Sequence, residues 1–419
     1  MDWERLEVPV GLSVWKDPSG DRIVAAVYVW TGGFEWCHAG HSLQPPSGPE
    51  ELAYLAGREY FPLFDDEKTL IVGPLGFAQA FLRAVVSSGL GDPTTLTSSS
   101  WPSGEVQKIG AWPPIDLDWR AQRQLEVPWD DPGLFPVSEP ARMAKYRKLQ
   151  SRYRHEVLRA KPGASGNYAA LGSYLDAGEV ATNPQLNFLS PVAFAHVLER
   201  EVVVRKQGGT LDPVRLRRNM LSSMPLCFNL FGTMRAEPDF LAVFQELFDP
   251  DATAIREITC EWAPQPPASY LNDRTAFDAV VLYDTADGPR FYGIETKYTE
   301  PFSEKEYTSP RYDEITTTSE WFANPDAPSI LNGSKSNQLW RNLMLAASIE
   351  AEGTLGAGRV AVVALSDDPG AQAAINIVAP ELSDPDRLRW VPIESILEAA
   401  ARFGALASWA TEFGRRYVG

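Results

Sequence analysis

Apolar residues recur through the second part of the chain with the two periods that helices and strands impose, 3.6 and 2. Met143, Tyr146, Leu149 and Tyr153 are spaced by 3, 3 and 4 positions, which predicts a helix over residues 142–159. Pro162-Gly163 is expected to end it. Residues 216–231 carry apolar side chains at helical spacing with Pro225 as a kink, and residues 240–248 form a shorter helix after Pro238. Three strands are predicted next, at 255–262, 276–283 and 290–298; Asp284-Thr285-Ala286-Asp287-Gly288 joins the last two as a hairpin turn. A polar stretch rich in Ser and Thr leads to a helix at about 337–350, a buried strand at 359–365 and two amphipathic helices near the carboxyl end. The order of helix, three-strand meander, helix and strand describes an α/β core.

The first 112 residues read differently. Strand-like runs at 23–30 and 69–72 and a helical run at 75–87 suggest an α+β domain of unassigned role. Residues 113–140, punctuated by Pro113, Pro114, Pro128, Pro132, Pro136 and Pro140, form a Pro-rich linker to a domain spanning 141–419. Cys37-His38-x-x-His41 is the one cluster in the first segment with ligand chemistry, and it lacks the fourth ligand of a structural zinc site.

Composition narrows the class. The chain has 419 residues, 44% of them apolar and 22% charged, enough to bury more than one core. Three cysteines, Cys37, Cys227 and Cys260, provide no disulfide framework, and the expectation is reduced thiols in a cytoplasmic protein. No apolar run approaches the roughly 20 residues of a membrane span. The net charge of −17 has the wrong sign for holding nucleic acid by charge alone, but it is unevenly spread. From Glu139 to Arg235 there are 15 Lys and Arg against 7 Asp and Glu, a balance of +8; the remaining 23 basic and 48 acidic residues leave −25 elsewhere. Within that stretch Arg142, Lys145, Lys148 and Arg152 lie on the predicted basic helix, either as a solvated face or as a phosphate-contacting surface.

The hairpin carries the most specific chemistry. If its turn centres on Ala286-Asp287, paired positions sum to 573 and Asp278 stands directly opposite Glu295; if it centres on Asp287-Gly288, the sum is 575 and the two are diagonal neighbours. Both registers cluster the carboxylates on one face, and Lys297 shares the face of Glu295. A sum of 574 would separate them. Two readings stand for the charges. Lys297 forms an ordinary ion pair at the sheet end, or the surplus acid is balanced by a divalent cation held by one or two carboxylates and water. Such a cation can polarise a phosphoryl oxygen, with the lysine stabilising developing charge.

Arg274-Thr275-Ala276-Phe277-Asp278-Ala279-Val280 followed by Gly293-Ile294-Glu295-Thr296-Lys297-Tyr298 resembles the catalytic hairpin of the PD-(D/E)XK nuclease superfamily, with Phe277 where the motif has Pro. The run from Asn219 to Gly232 and the run from Gln338 to Asn342 resemble segments of a bacterial, restriction-endonuclease-like branch of it, so that the likeness covers about residues 140–380. The resemblance implies a restriction-endonuclease-like core. It also implies Asp278 and Glu295 as metal ligands, the Thr296 carbonyl as a third, Lys297 as the catalytic lysine, and Mg²⁺ as cofactor with Mn²⁺ as substitute. Glu261, at the end of the first strand, is either an additional acid of the metal site or an exposed strand-end glutamate. Gln338, Arg341 and Asn342 share a helical face; Gln338 either positions the lysine, water or phosphate or caps the helix, and Arg341 is a candidate phosphate contact.

Three functions fit: a Mg²⁺-dependent DNA endonuclease in restriction or anti-phage defence, a repair or recombination nuclease, and a non-catalytic binding protein on the same fold. DNA is the expected partner, residues 1–112 a surface for a protein partner, and a homodimer the expected assembly where both strands are cut.

Overall fold

A computed structural model describes residue 125 and residues 127–419 apart from Glu304, together with five strands in the first 74 residues. Those strands, β1 (Glu4–Leu6), β2 (Leu12–Lys16), β3 (Ile23–Val27), β4 (Tyr60–Asp66) and β5 (Thr69–Pro74), form one sheet in the order β1-β2-β3-β5-β4. β3 and β5 run parallel and the other pairs antiparallel. The helical run at 75–87 and the Cys37-His38-x-x-His41 cluster lie outside the described residues.

From Ala141 onward the elements alternate. α1 (Ala141–Glu156) leads to a hairpin, β6 (Pro162–Ser165) and β7 (Tyr168–Leu175), then α2 (Ala177–Thr182) and α3 (Pro191–Lys206). α4 (Pro213–Arg217), α5 (Ser223–Cys227), a π-helical turn (Phe228–Gly232) and α6 (Phe240–Leu247) precede the meander β8 (Ala252–Trp262), β9 (Phe277–Thr285) and β10 (Gly288–Thr296). α7 (Pro310–Thr318), α8 (Ala327–Leu331) and α9 (Asn337–Glu352) then cross to β11 (Ala357–Ala364). α10 (Pro369–Val378), β12 (Leu388–Pro392), α11 (Ile393–Ala400) and α12 (Gly404–Tyr417) complete the chain.

The central sheet has the order β12-β11-β10-β9-β8. β8, β9 and β10 are antiparallel, and β11 and β12 run parallel to β10, as a helical crossover requires. Alternation sends Val281, Tyr283, Tyr292, Ile294 and Val363 to one face, where they pack with Phe231, Phe244 and Phe413. Val280, Phe291, Val360 and Val362 go to the other, against Leu339, Trp340 and Leu343 of α9. Burial on both faces explains why these strands read as nearly continuous apolar runs. The expected core order of helix, three-strand meander, helix and strand is present, in a mixed α/β fold.

Three expectations need correction. Residues 216–231 are not one kinked helix: α4 ends at Arg217, α5 starts at Ser223 with the Ser222 hydroxyl accepting from Met224 N, and Pro225 falls in its first turn, where its missing N–H costs nothing. The basic helix ends at Glu156, and Pro162 opens strand β6 rather than closing the helix. The carboxyl-terminal region also contains a fifth strand, β12, beyond the helices expected there.

Asp249, just past α6, locks the sheet to that helix. Its carboxylate accepts from the Tyr283 hydroxyl (2.7 Å) and Arg290 (3.0 Å) and pairs with Arg359 (2.7 Å), one residue from each of β9, β10 and β11. Burial alone would push this carboxyl up, but these donors hold it below the usual carboxylate range. Asp249→Ala is expected to cost about 3 kcal/mol, because it leaves the Arg359 guanidinium without its anion, Arg290 with only its longer pairs to Asp251 (3.5 Å) and Asp287 (3.4 Å), and the buried Tyr283 hydroxyl without its acceptor. Urea unfolding measures this, and a loss below about 1 kcal/mol would mean that Arg290 and Arg359 find other partners.

Candidate active site

The turn at Ala286-Asp287 is a two-residue hairpin loop, and Gly288 follows it with φ +125°. Pairing of Gly288 with Thr285 and of Ile294 with Ala279 fixes the register sum at 573, the first of the two registers expected. Continued one position, that register sets Glu295 opposite Asp278. On the other side of β9, Cys260 pairs with Ala279 and Trp262 with Phe277, which sets Glu261 opposite Asp278 as well. Glu261, Asp278 and Glu295 therefore stand in one row across three neighbouring strands. Glu261 holds φ +51°, a strained conformation for a non-glycine residue of the kind found at functional sites.

Asp278 is fixed from β10: its Oδ2 accepts from both the Thr296 N–H and the Thr296 hydroxyl, each at 2.8 Å. Beneath it, the Cys227 thiol of α5 donates to the Asp278 carbonyl (3.1 Å), so part of the Asn219–Gly232 segment forms the support of this strand. Phe277, where the motif has Pro, lays its ring on Gly293, and a Cβ there would clash with it. The bulky residue is accommodated by the missing side chain on the neighbouring strand.

Glu295 is buried, 2% exposed, and each of its oxygens has a donor. Oε1 takes the Lys297 ammonium (2.7 Å) and the Gln338 amide (2.6 Å), and Oε2 takes the Asn342 amide (2.7 Å). Lys297, 6% exposed, also reaches Gln338 Oε1 at 3.3 Å and lies 4.5 Å from the centre of the Phe302 ring. That same Gln338 oxygen accepts from Ser303 N (2.8 Å). Gln338 thus bridges Glu295, Lys297 and the loop after β10; the capping position belongs to Ser336.

The charges shape one another. Burial and then the charge of Glu295 push the Asp278 carboxyl up to about 7, against the hydrogen bonds from Thr296. Burial and the Asp278 charge raise Glu261 well above the carboxylate range. Burial disfavours the Lys297 ammonium, but Glu295 and Asp278 more than offset it, so the lysine stays charged. Glu261 is half-buried rather than an exposed strand-end residue.

The donor set suits a hard divalent cation. Three carboxylates outnumber the one lysine among them, and Mg²⁺ is commonly held by one or two carboxylates with water completing the shell. Among the described residues no three His, Cys, Asp or Glu side chains converge closely enough to hold an ion alone, which leaves main-chain oxygens such as the Thr296 carbonyl and water as further ligands.

The basic residues are distributed otherwise than the sequence suggests. Arg142 pairs with Asp367 (3.0 Å) and Asp368 (3.2 Å), Lys145 with Asp367 (3.0 Å), and Arg152 with Glu156 (2.9 Å). Lys148 is exposed and forms no ion pair among the described residues. Arg341 does not join Gln338 and Asn342 at Glu295; it turns to Asp273 (3.2 Å) and stacks on Tyr307. Two cations near the acids were not singled out from sequence. Arg215, paired with Glu300 (2.9 Å), senses the charges of Asp278 and Glu261, and Arg200 donates to the Glu261 carbonyl (3.0 Å). Only their membership of the basic stretch marked them.

No helix among the described residues is long and apolar enough to cross a membrane. No curated protein and no solved structure matches the chain. A family model for the PD-(D/E)XK nuclease superfamily matches residues 137–419. That span contains the whole central sheet and the carboxylate row, and the chain belongs to the PD-(D/E)XK nuclease superfamily.

Proposed function

We propose that the chain is a Mg²⁺-dependent deoxyribonuclease, with Mn²⁺ as an effective substitute, cutting DNA internally in a restriction or anti-phage role in the cytoplasm. The observation that carries this reading is the row of Glu261, Asp278 and Glu295 with Lys297 paired to Glu295 and Gln338 bridging the two. A bound divalent cation would supply charge stabilisation at the phosphoryl group and acidify water. Asp278 and Glu295 would hold it, with the Thr296 carbonyl and water as further ligands, and Glu261 would join the set by moving towards them.

Each side chain has a separable task. Thr296 aims Asp278 through two hydrogen bonds. Asn342 and Gln338 fix the Glu295 plane, so that little reorganisation remains when substrate arrives. Lys297, kept charged by its acidic neighbours, cannot accept a proton; it donates to the phosphate or to the attacking water and stabilises the charge that develops there. Residues 1–112 would supply a surface for a protein partner, 113–140 the connection, and a homodimer would place two such sites for a double-strand cut.

The test is incubation of linear DNA, circular DNA and RNA with Mg²⁺ or Mn²⁺. Wild type should cut circular DNA only with a divalent cation, and Lys297→Ala and Glu295→Ala should not. Equal cleavage by all three proteins would overturn the assignment.

The phosphate-contacting surface can be tested through salt. Arg142, Lys145, Arg152 and Arg341 have carboxylate partners to give up before they meet a phosphate, whereas Lys148 has none among the described residues. Lys148→Ala should reduce the slope of log affinity against log salt by about 1, and Lys145→Ala by less. Fluorescence anisotropy at several salt concentrations checks it; equal changes in both variants would show that the ion pair with Asp367 opens freely on binding.

A further inference from the structure

Beside the carboxylate row lies a cavity of about 290 Å³ that the proposed cleavage chemistry does not fill. Glu261 belongs to both: it stands in the row and lines the cavity. The other walls come from the end of α3 with the loop after it, the segment that follows β8, and the run into β9. Leu211, Pro264, Tyr270 and Leu271 make an apolar lining, with Gln207, Gln265 and Asp273 among the polar residues.

The cations nearby differ from those of α1. Arg274 lines the cavity, is exposed and has no ion pair among the described residues. Arg205 and Lys206, also exposed and without ion pairs there, flank Val204 and Gln207 of the same wall. Three exposed cations therefore lie on or next to the segments that line this cavity, whose acidic lining residues are Glu261 and Asp273.

Resting on the nuclease reading above, we propose that this cavity receives one unstacked nucleobase of the strand being cut, while Arg274, Arg205 and Lys206 contact adjoining phosphates. The volume lies at the lower limit of small-molecule pockets, ~300–1,000 Å³, which suits a single base rather than a larger ligand. Apolar walls suit the faces of a heterocycle, and two amides, each both donor and acceptor, suit its edge. The shared wall at Glu261 supplies the link: a base is one sugar away from its phosphate, so a phosphate at the row brings its own base to the cavity mouth. An intact duplex must first extrude that base, at a cost that single-stranded, frayed or mismatched DNA avoids. The substrate class that follows is DNA with unpaired bases at the cut.

The experiment uses the full chain and short DNA in single-stranded and duplex form, with one base at a time replaced by an abasic residue. Wild type should cut the single strand faster than the duplex. One position at a fixed offset from the cut should be sensitive, with kcat/KM falling about tenfold when its base is removed. Thr210→Trp and Ala276→Trp, which narrow the cavity, should erase that position dependence, with thermal unfolding used to confirm that each variant is folded. A uniform abasic scan with cleavage intact would overturn the base pocket and leave the nuclease reading standing. So would narrowed variants that, folded as wild type, retain the sensitive position. Absence of cleavage of every DNA by wild type would overturn both.

Discussion

Lys297→Ala is expected to lower single-turnover cleavage by about 10²–10³-fold, the usual consequence of removing a preorganised donor from developing charge. The same change should destabilise the fold by about 3 kcal/mol, because Glu295 is left as a buried anion without its counter-charge. Lys297→Met separates packing from charge: it restores most of the aliphatic stem but should be as inactive and nearly as unstable as alanine. Adding Glu295→Gln to Lys297→Met should recover much of the stability, since neither remaining group is then ionised, and none of the activity. Quenched cleavage assays and urea unfolding on the same preparations read both quantities. Cleavage by Lys297→Ala within a few-fold of wild type would remove the lysine from the chemistry.

Asp278→Asn should also abolish cleavage, but with the opposite effect on the metal-free fold. An amide oxygen can keep both hydrogen bonds from Thr296 while removing the charge that Glu295 opposes. The folded protein holds the Asp278 proton up to about pH 7, against 3.8 for the ordinary carboxyl. The folded state therefore binds the proton more tightly than the unfolded chain. The cost of ionising the group is absent below about pH 4, grows between pH 4 and 7, and is complete above pH 7. In EDTA, Asp278→Asn should match wild type at pH 4 and exceed it at pH 8 by on the order of 4 kcal/mol. Added Mg²⁺ or Mn²⁺ should raise the wild-type Tm and leave that of the variant unchanged. A variant less stable than wild type at pH 8 in EDTA would show that Asp278 is not repelled by its neighbours.

The hairpin was legible because its signals are local. Alternation from Phe277 to Tyr283 and the Asp284–Gly288 turn sequence define two strands, and both registers that the turn allows keep Asp278 and Glu295 on one face; the structure takes the one centred on Ala286-Asp287. The pairing across β8 was not, because bulges between Ala252 and Ala254 and between Ile255 and Glu257 shift it before Glu261 is reached. β12 escaped because five residues ending in Pro392 give almost no period, and its burial depends on β11 beside it. The basic helix was legible from its apolar spacing, apart from its end at Glu156, but the partners of its charges were not. Arg147 is buried against Glu139 and Ser173, Arg154 donates to Gly172 O, and the acids that meet Arg142 and Lys145 lie more than 200 residues away. Gln338 was identifiable as a residue on the helix after the Glu-x-Lys strand; that Asn342 joins it at Glu295 while Arg341 turns away is a matter of helix rotation, which spacing leaves open.

The Gln338 oxygen that faces Lys297 also takes the main-chain N–H of Ser303. Slack in that loop is therefore slack in the ammonium. A change that loosens Ser303 is expected to weaken the hold on Lys297 through Gln338, at a distance from the ion pair itself.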